Sequence, residues 1–494
     1  MALTFLSKSN YLIGLACPKR LWHEINRPEM IGEESIEQKE IMKQGKIVGE
    51  HARRLYPDGR RIERHADPAI TNQRSLLALK ERKPLFEAGF TYNNAYALAD
   101  ILLPAEGNSW YLIEVKSSGQ VKDEHLLDAA FQKYVYEGAG ITIRRCFLMH
   151  INTRYVRRGE LELDKLLVQE EISEAIRLLI PEIEGKVAEL LNLVNGPLPE
   201  IKVGPQCSEY CPLEEHCWQF LPDQHHTFML KGKRDVAFDL LGQGIVKMED
   251  IPVDYELNKY HSIQVEAHTA NKPFVDRDSL EEFLDRLRYP LYFIDFETIA
   301  PAIPVYEETR PFEDLVFQYS LHVLEKEGAR PVHYSYLAPG NIDPRPEVIR
   351  QLTELLGKSG SILAYYADYE KRCIKSMVER VPEYAAWFEA TVNRFIDLFI
   401  PFRRMFYYSP VQEGSASMKK VLPALTGISY ADLEIGNGGL ARYEYMRATF
   451  GKDVAPADRQ RVRAALEKYC ELDTLGMIKI LEALKKALIG IHRS

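Results

Sequence analysis

Residues Leu291 to Ile299 read LYFIDFETI. Leu291, Tyr292, Phe293 and Ile294 predict a buried strand. Strand faces alternate, so Asp295 and Glu297 leave its end on one side. Two carboxylates that close are unfavourable unless a proton or a metal ion neutralises them, and a D-x-E pair at a strand end is a donor set for two-metal phosphoryl transfer. Tyr469 and Asp473 stand four apart on a helical segment and share one face. Between the D-x-E strand and this helix in the chain, a short strand (Ile362 to Tyr365) leads into a helix from near Asp368 that carries Glu370. Asp368 is the reserve for Glu370, and Asp397 reads as a cap or substrate-loop residue.

A second set lies in the first half. Asp100 sits in YALADILLP, while Glu114 and Lys116, in YLIEVKSS, are two apart and share a strand face. An Asp and a Glu can hold a divalent ion while the ammonium stabilises an attacking water or developing charge. Gln132 and Tyr136 follow on the next helix. An earlier helix offers Glu50 and His51 as candidate extra ligands.

Seven cysteines, an odd number in an expected reducing compartment, argue against a disulfide framework. Cys146, Cys373 and Cys470 read as small core residues. Cys207, Cys211 and Cys217 are clustered, and Cys17 is available if the ends of the domain meet. Four thiolates suit an iron–sulfur cluster or structural zinc, and His216 could replace one thiolate in a zinc site.

The elements that must position these groups follow from pattern. Ser7 or Ser9 caps a first helix, which Pro18 closes after Cys17. A second helix runs from about Glu37 to Leu55. Strands are expected at Pro84 to Tyr92, Tyr96 to Leu103 and Trp110 to Lys116, then a helix from Glu124 to Glu137, a strand from Arg145 to Ile151 and a helical stretch from Glu170 to Leu193. Asp235 to Leu241 predicts a helix, turned at Gly242-Gln243-Gly244 ahead of a short element from Met248.

The chain has 494 residues, 46% of them hydrophobic and 27% charged, which fits two or three folded domains. No run approaches the roughly 18 apolar residues of a membrane span, and the start lacks a secretory cleavage pattern, so cytoplasmic residence without a membrane partner is expected. The net charge of −9 argues against non-specific coating of nucleic acid, although acids at metal sites are neutralised by their ions. Two arginine-rich stretches could track phosphates: Arg53, Arg54, Arg60, Arg61 and Arg64, and Arg144, Arg145, Arg154, Arg157 and Arg158.

The first half resembles RecB-like PD-(D/E)XK nucleases with iron–sulfur clusters. That resemblance implies a restriction-endonuclease-like core over 1–220, metal held by Asp100 and Glu114, catalysis by Lys116, DNA contacts from Gln132 and Tyr136, and a [4Fe-4S] clasp on Cys17, Cys207, Cys211 and Cys217, with zinc as the alternative. Residues 221–284 are expected to be a helical linker, with a helix-hairpin-helix-like unit as its other reading. The last part, 285–494, resembles DnaQ-like DEDDy 3′→5′ exonucleases of RNase H-like fold. By that resemblance Asp295, Glu297, Glu370 and Asp473 hold two Mg²⁺ or Mn²⁺ ions and Tyr469 orients the water; Tyr366 stands where that family writes Asn. The whole is similar to a bacterial family of unknown function that fuses these halves. The expectation is an α/β, two-site nuclease acting on DNA, single-stranded or with free ends, in repair or mobile-element defence. The alternatives are a nucleic-acid-binding scaffold with one site or neither active, and an RNA-processing exonuclease.

Overall fold

The computed structural model describes residues 5–32, 35–207, 211–232 and 234–490. The chain is mixed α/β and divides into two compact units: Met1–Trp218 with Pro301–Glu313, and Gln219–Ala300 with Asp314–Ser494.

In unit 1, β1 (Leu6–Ser7) leads into α1 (Lys8–Ala16), α2 (Pro18–Asn26) and α3 (Ile36–Arg54). After β2 (Arg60–Arg61) and α4 (Pro68–Leu79) come β3 (Leu85–Tyr92), β4 (Ala95–Pro104), β5 (Trp110–Val115), α5 (Asp123–Gly138), β6 (Ile143–Ile151) and β7 (Leu167–Glu171). They form a sheet of order β2-β3-β4-β5-β6-β7, with β1 also beside β4. The β3–β4 turn uses Asn93 and Asn94, both at positive φ (41° and 59°), the conformation that tight hairpins need and Asn tolerates. Ile101 is in register with Ile113, so the neighbouring Asp100 and Glu114 meet across β4 and β5. One sheet face packs on α5 through Phe90, Ala97, Phe131 and Val135, all buried.

Unit 2 contains β8 (Phe274–Val275), β9 (Leu291–Ile299), β10 (Leu315–Leu324), β11 (Val332–Leu337), β12 (Ser361–Ala364), β13 (Phe395–Asp397) and β14 (Tyr407–Tyr408). The main sheet has the order β11-β10-β9-β12-β13. Its first three strands are antiparallel, and β12 and β13 continue it in parallel. Register places Asp295 opposite Ser320 and Glu297 opposite Gln318. The long helix Pro456–Gly490 lies on that face, where Gln318 Nε2 donates to the Leu466 carbonyl at 2.9 Å.

Three expectations change. Residues 221–284 are built into unit 2: Gln264, on the helix Lys259–Ala270, donates to the Met229 carbonyl at 2.9 Å and to Tyr408 Oη at 3.2 Å, and β8 pairs with β14. The helix Asp235–Gly242 and its turn through Gly244 form as the pattern predicts. Second, Pro301–Glu313 belongs with unit 1, where Arg157 Nη1 donates to the carbonyls of Pro304 and Val305 at 3.1 and 3.0 Å. Third, the stretch expected to turn helical at Glu170 instead forms β7, because pairing with β6 from Phe147↔Glu171 to Ile151↔Leu167 overrides local propensity. Helices follow at Ser173–Arg177 and Ile180–Val194. Among the described residues no helix is long and apolar enough to cross a membrane.

Candidate metal centres

In unit 2, carboxylate oxygens of Asp295, Glu297 and Asp473 all lie within 4.8 Å of one another. Strand alternation points the first two to the face covered by the long helix, and the helix turn from Tyr469 to Asp473 brings Asp473 to them. Glu370, on the helix Ala367–Arg380, joins from the other side. It is 3% exposed, faces the Phe296 backbone N–H, and feels Glu297 and Asp473. Its Oε2 has no hydrogen-bond partner among the described residues. Asp368 points outward, with its side chain 77% exposed and Lys371 at 3.7 Å. Asp397 accepts from the N–H groups of Tyr366 and Phe399 at 2.9 and 3.0 Å, a turn-closing role.

The electrostatics follow from crowding. Burial, then Asp473, raises the Glu297 carboxyl to about 8, against the cations of Lys419 and Arg442. Burial raises Asp473 to about 7, opposed by hydrogen bonds from Tyr430 and Tyr469 and by Lys419. Asp295 and Glu370 are raised too, by burial first and neighbouring acids second. Four carboxyls that resist ionising together, one with an orphaned oxygen, fit a divalent-cation site.

Sequence reasoning missed several members. Tyr430 Oη donates to Asp473 Oδ1 at 2.6 Å, and Cys470 Sγ lies 3.7 Å from Asp295 Oδ2. Lys419 Nζ lies 5.6 Å from the centre of the Tyr469 ring. Cys470 is buried, as a core thiol should be, yet it touches the carboxylates. Its spacing three residues before Asp473 and one after Tyr469 was the available signal. For Tyr430 and Lys419 no local pattern existed.

In unit 1, Asp100 Oδ2 accepts from the Val115 N–H at 2.8 Å. Glu114, 2% exposed, is held by Lys116 Nζ at 2.8 Å and by Lys8 Nζ at 2.9 Å. The same two ammonium groups reach Asp128, Lys8 at 2.9 Å and Lys116 at 2.5 Å. Lys8 and Asp128 were not anticipated. Burial works against ionised Glu114, but Lys8 and Lys116 outweigh it and hold the carboxyl well below its usual range. Burial and then Glu114 push Asp100 the other way, to about 7.

The residues expected to touch DNA lie inside. Gln132 and Tyr136 are 0% exposed. Gln132 Nε2 donates to Glu114 Oε2 at 2.5 Å and to Asp128 Oδ1 at 3.0 Å. Tyr136 Oη donates to the Ala88 carbonyl and accepts from the Ala99 N–H. Here the Gln–Tyr spacing braces the carboxylates and ties α5 to the sheet. Glu50 is exposed, and His51 Nδ1 lies 3.2 Å from Arg54 Nη1; among the described residues no hydrogen bond or ion pair links either to Glu114. Many of the arginines are matched by acids, as in Arg61–Glu87, Arg145–Glu171 and Arg158–Glu308.

Cys17 caps α2, its Sγ accepting from the Arg20 N–H at 3.4 Å. Burial raises the Cys211 thiol, and Cys17 and Cys217 are both close enough to add to that rise. Cys207 is half-buried in the same segment; Ser208, Glu209 and Tyr210 lie outside the described residues. His23 is 1% exposed, and among the described residues neither ring nitrogen has a hydrogen-bond partner. Its ring meets that of His216 edge-on, 5.3 Å between centres.

Residues 292–417 match a family described as "Domain of unknown function (DUF2779)". The match covers Asp295, Glu297 and Glu370 and stops short of Asp473. Among curated proteins, the "Uncharacterized protein MG366 homolog" of Mycoplasma pneumoniae is 24% identical over 265 residues, covering 49% of this chain and 39% of that protein. "Uncharacterized protein MG366" of Mycoplasma genitalium is 26% identical over 239 residues, 44% of this chain and 36% of the relative. "Uncharacterized protein UU173" of Ureaplasma parvum is 23% identical over 279 residues, 52% and 38%. The alignments therefore span under two fifths of these relatives' own length. A solved structure, "Crystal structure of SSO0001", aligns with a TM-score of 0.24 and 12% identity over 44% of this chain and 88% of that one.

Proposed function

We propose that the chain is a metal-dependent nuclease with two hydrolytic centres, acting on DNA with single-stranded or free ends. The observation that carries the reading is the convergence of Asp295, Glu297 and Asp473 within 4.8 Å, with the orphaned Glu370 oxygen beside them. When bound, Mg²⁺ or Mn²⁺ would polarise the phosphate and acidify a water. Around that chemistry, Tyr469 keeps its proton, because burial and then Asp473, Glu297 and Asp295 raise its hydroxyl, and so it can donate to and orient a water or phosphate oxygen. Lys419 supplies a cation near Glu297 and Asp473, and Arg442 a second one near Glu297.

The finer fold reading also belongs to this proposal. Three antiparallel strands continued by two parallel ones support an RNase H-like unit 2, and Asp100 within β4 beside Glu114 and Lys116 at the end of β5 supports a restriction-endonuclease-like unit 1. Cys17, Cys211 and Cys217, with Cys207, are proposed to hold a [4Fe-4S] cluster, zinc being the alternative. Repair or mobile-element defence is the proposed setting.

The experiment is digestion of 5′- and 3′-labelled DNA and RNA with Mg²⁺ or Mn²⁺ by the full chain and by Glu114→Gln and Asp295→Asn. Each variant is expected to lose a different product; RNA cleavage without DNA cleavage would select the RNA-processing reading. A second reading, in which only unit 2 cleaves and unit 1 binds, is favoured by the paired lysines on Glu114, which already supply the charge a metal would bring.

A further inference from the structure

A second ligand group lies on the same sheet face, outside the carboxylate centre. One ring nitrogen each of His322 and His333 and a carboxylate oxygen of Glu471 lie within 4.8 Å of one another. His322 and His333 are a registered pair on β10 and β11, and Glu471 comes from the long helix. His322 is buried, His333 half-buried and Glu471 exposed.

One nitrogen of each ring is held by a hydroxyl. Thr474 Oγ1 lies 3.2 Å from the Glu471 carbonyl, which can only accept, and Thr474 can spend its one proton there. In that arrangement its oxygen accepts from Ser320 Oγ at 2.6 Å and from His322 Nδ1 at 2.8 Å. Ser320, having donated, must accept from His333 Nε2 at 2.9 Å. This arrangement leaves lone pairs on His322 Nε2 and His333 Nδ1. A hydrogen-bonded far nitrogen of this kind is what holds a metal-ligating histidine in place.

His333 Nδ1 faces Glu471 Oε1 at 3.8 Å. In that arrangement two acceptors face each other, a pair that a metal ion or a proton can bridge. A nitrogen and an oxygen each about 2.1 Å from one zinc ion lie at most about 4 Å apart, so the gap has the right size. The rings are stacked, 4.5 Å between centres and 24° between planes, and both lone pairs can reach one ion only after rotation of His333, which lies on the edge strand β11.

We propose that His322, His333 and Glu471 form a binding site for a borderline transition-metal ion of the zinc class. Two imidazoles and one carboxylate select such an ion over magnesium, which prefers oxygen donors. The site ties the helix turn that carries Asp473 to the β10–β11 edge.

The test is calorimetric titration of Zn²⁺ into metal-stripped full-length protein in excess Mg²⁺, for wild type, His333→Ala and Glu471→Gln. Both variants change exposed or half-exposed side chains, and circular dichroism checks that they fold. Each should lose one tight Zn²⁺ equivalent or bind it about 100-fold more weakly, while zinc held by the cysteines persists. Asp295→Asn should keep the equivalent even where it loses cleavage, which separates this site from the proposed nuclease centre. The same number of tight equivalents in wild type and both histidine-site variants would overturn the proposal.

Discussion

Lys8 Nζ lies 2.9 Å from Glu114 Oε1 although 106 residues separate them. Parallel pairing of Leu6 and Ser7 with β4, and the Ser7 cap accepting from the Asn10 N–H, start α1 where its first residue reaches the acids. The ammonium also contacts Asp128. Unit 1 therefore carries its own countercharge.

Replacing Lys8 by Met should cost stability in chelator, on the order of 2 kcal/mol, because the buried Glu114 and Asp128 are left to share the one ammonium of Lys116. Added Mn²⁺ should restore more stability to Lys8→Met than to wild type. Thermal melts with and without Mn²⁺ check this, and equal metal responses in the two proteins would show that Lys8 does not compete for the site.

The carboxylates of unit 2 predict an unusual pH dependence. In chelator, Glu297 and Asp473 hold protons up to about 8 and about 7, whereas the unfolded chain releases its own near about 4. The native state binds more protons across that window, so this stabilising contribution is full below about pH 4 and falls as pH rises toward 8. Melting temperature measured from pH 5 to 8 should show the decline, with Mg²⁺ or Glu297→Gln reducing it. A slope unchanged in Glu297→Gln would place its origin elsewhere.

Tyr430→Phe removes the donor to Asp473. The carboxyl should rise further, Mn²⁺ affinity should fall about 10–100-fold, and the acidic limb of the rate profile should move to higher pH. Mn²⁺ titration with a pH–rate profile reads both effects. If neither shifts, Tyr430 only packs.

Protein purified without air should be brown, with broad violet-blue absorption, and Cys17→Ser or Cys211→Ser should bleach it. A colourless wild type that contains zinc would replace the cluster by a zinc site.

How much of this could be read from the sequence depended on distance along the chain. The D-x-E of β9, the E-x-K of β5 and the four-residue step from Tyr469 to Asp473 were legible because strand and helix periods alone decide their faces. That Glu370 turns inward while Asp368 points to solvent was legible from the aromatic before Glu370. Lys8, Asp128, Tyr430 and Lys419 were not, since each reaches its partner through pairing or packing between distant segments. The His322–His333 pair depends on the register of β10 and β11, which alternation within one strand does not supply. Gln132 and Tyr136 were found as a motif and assigned the wrong surroundings, because spacing reports a shared helix face without saying whether it looks to solvent or to the core.

The central claim, that the converged acids of unit 2 hold ions for phosphodiester hydrolysis, is tested most directly by Mn²⁺-dependent release of nucleotides from 3′-labelled single-stranded DNA, comparing the full chain with Asp295→Asn. The account predicts release by the full chain that stops in chelator, and a loss of more than about 100-fold in the variant. Release that survives chelation, or that is equal in the two proteins, would contradict it.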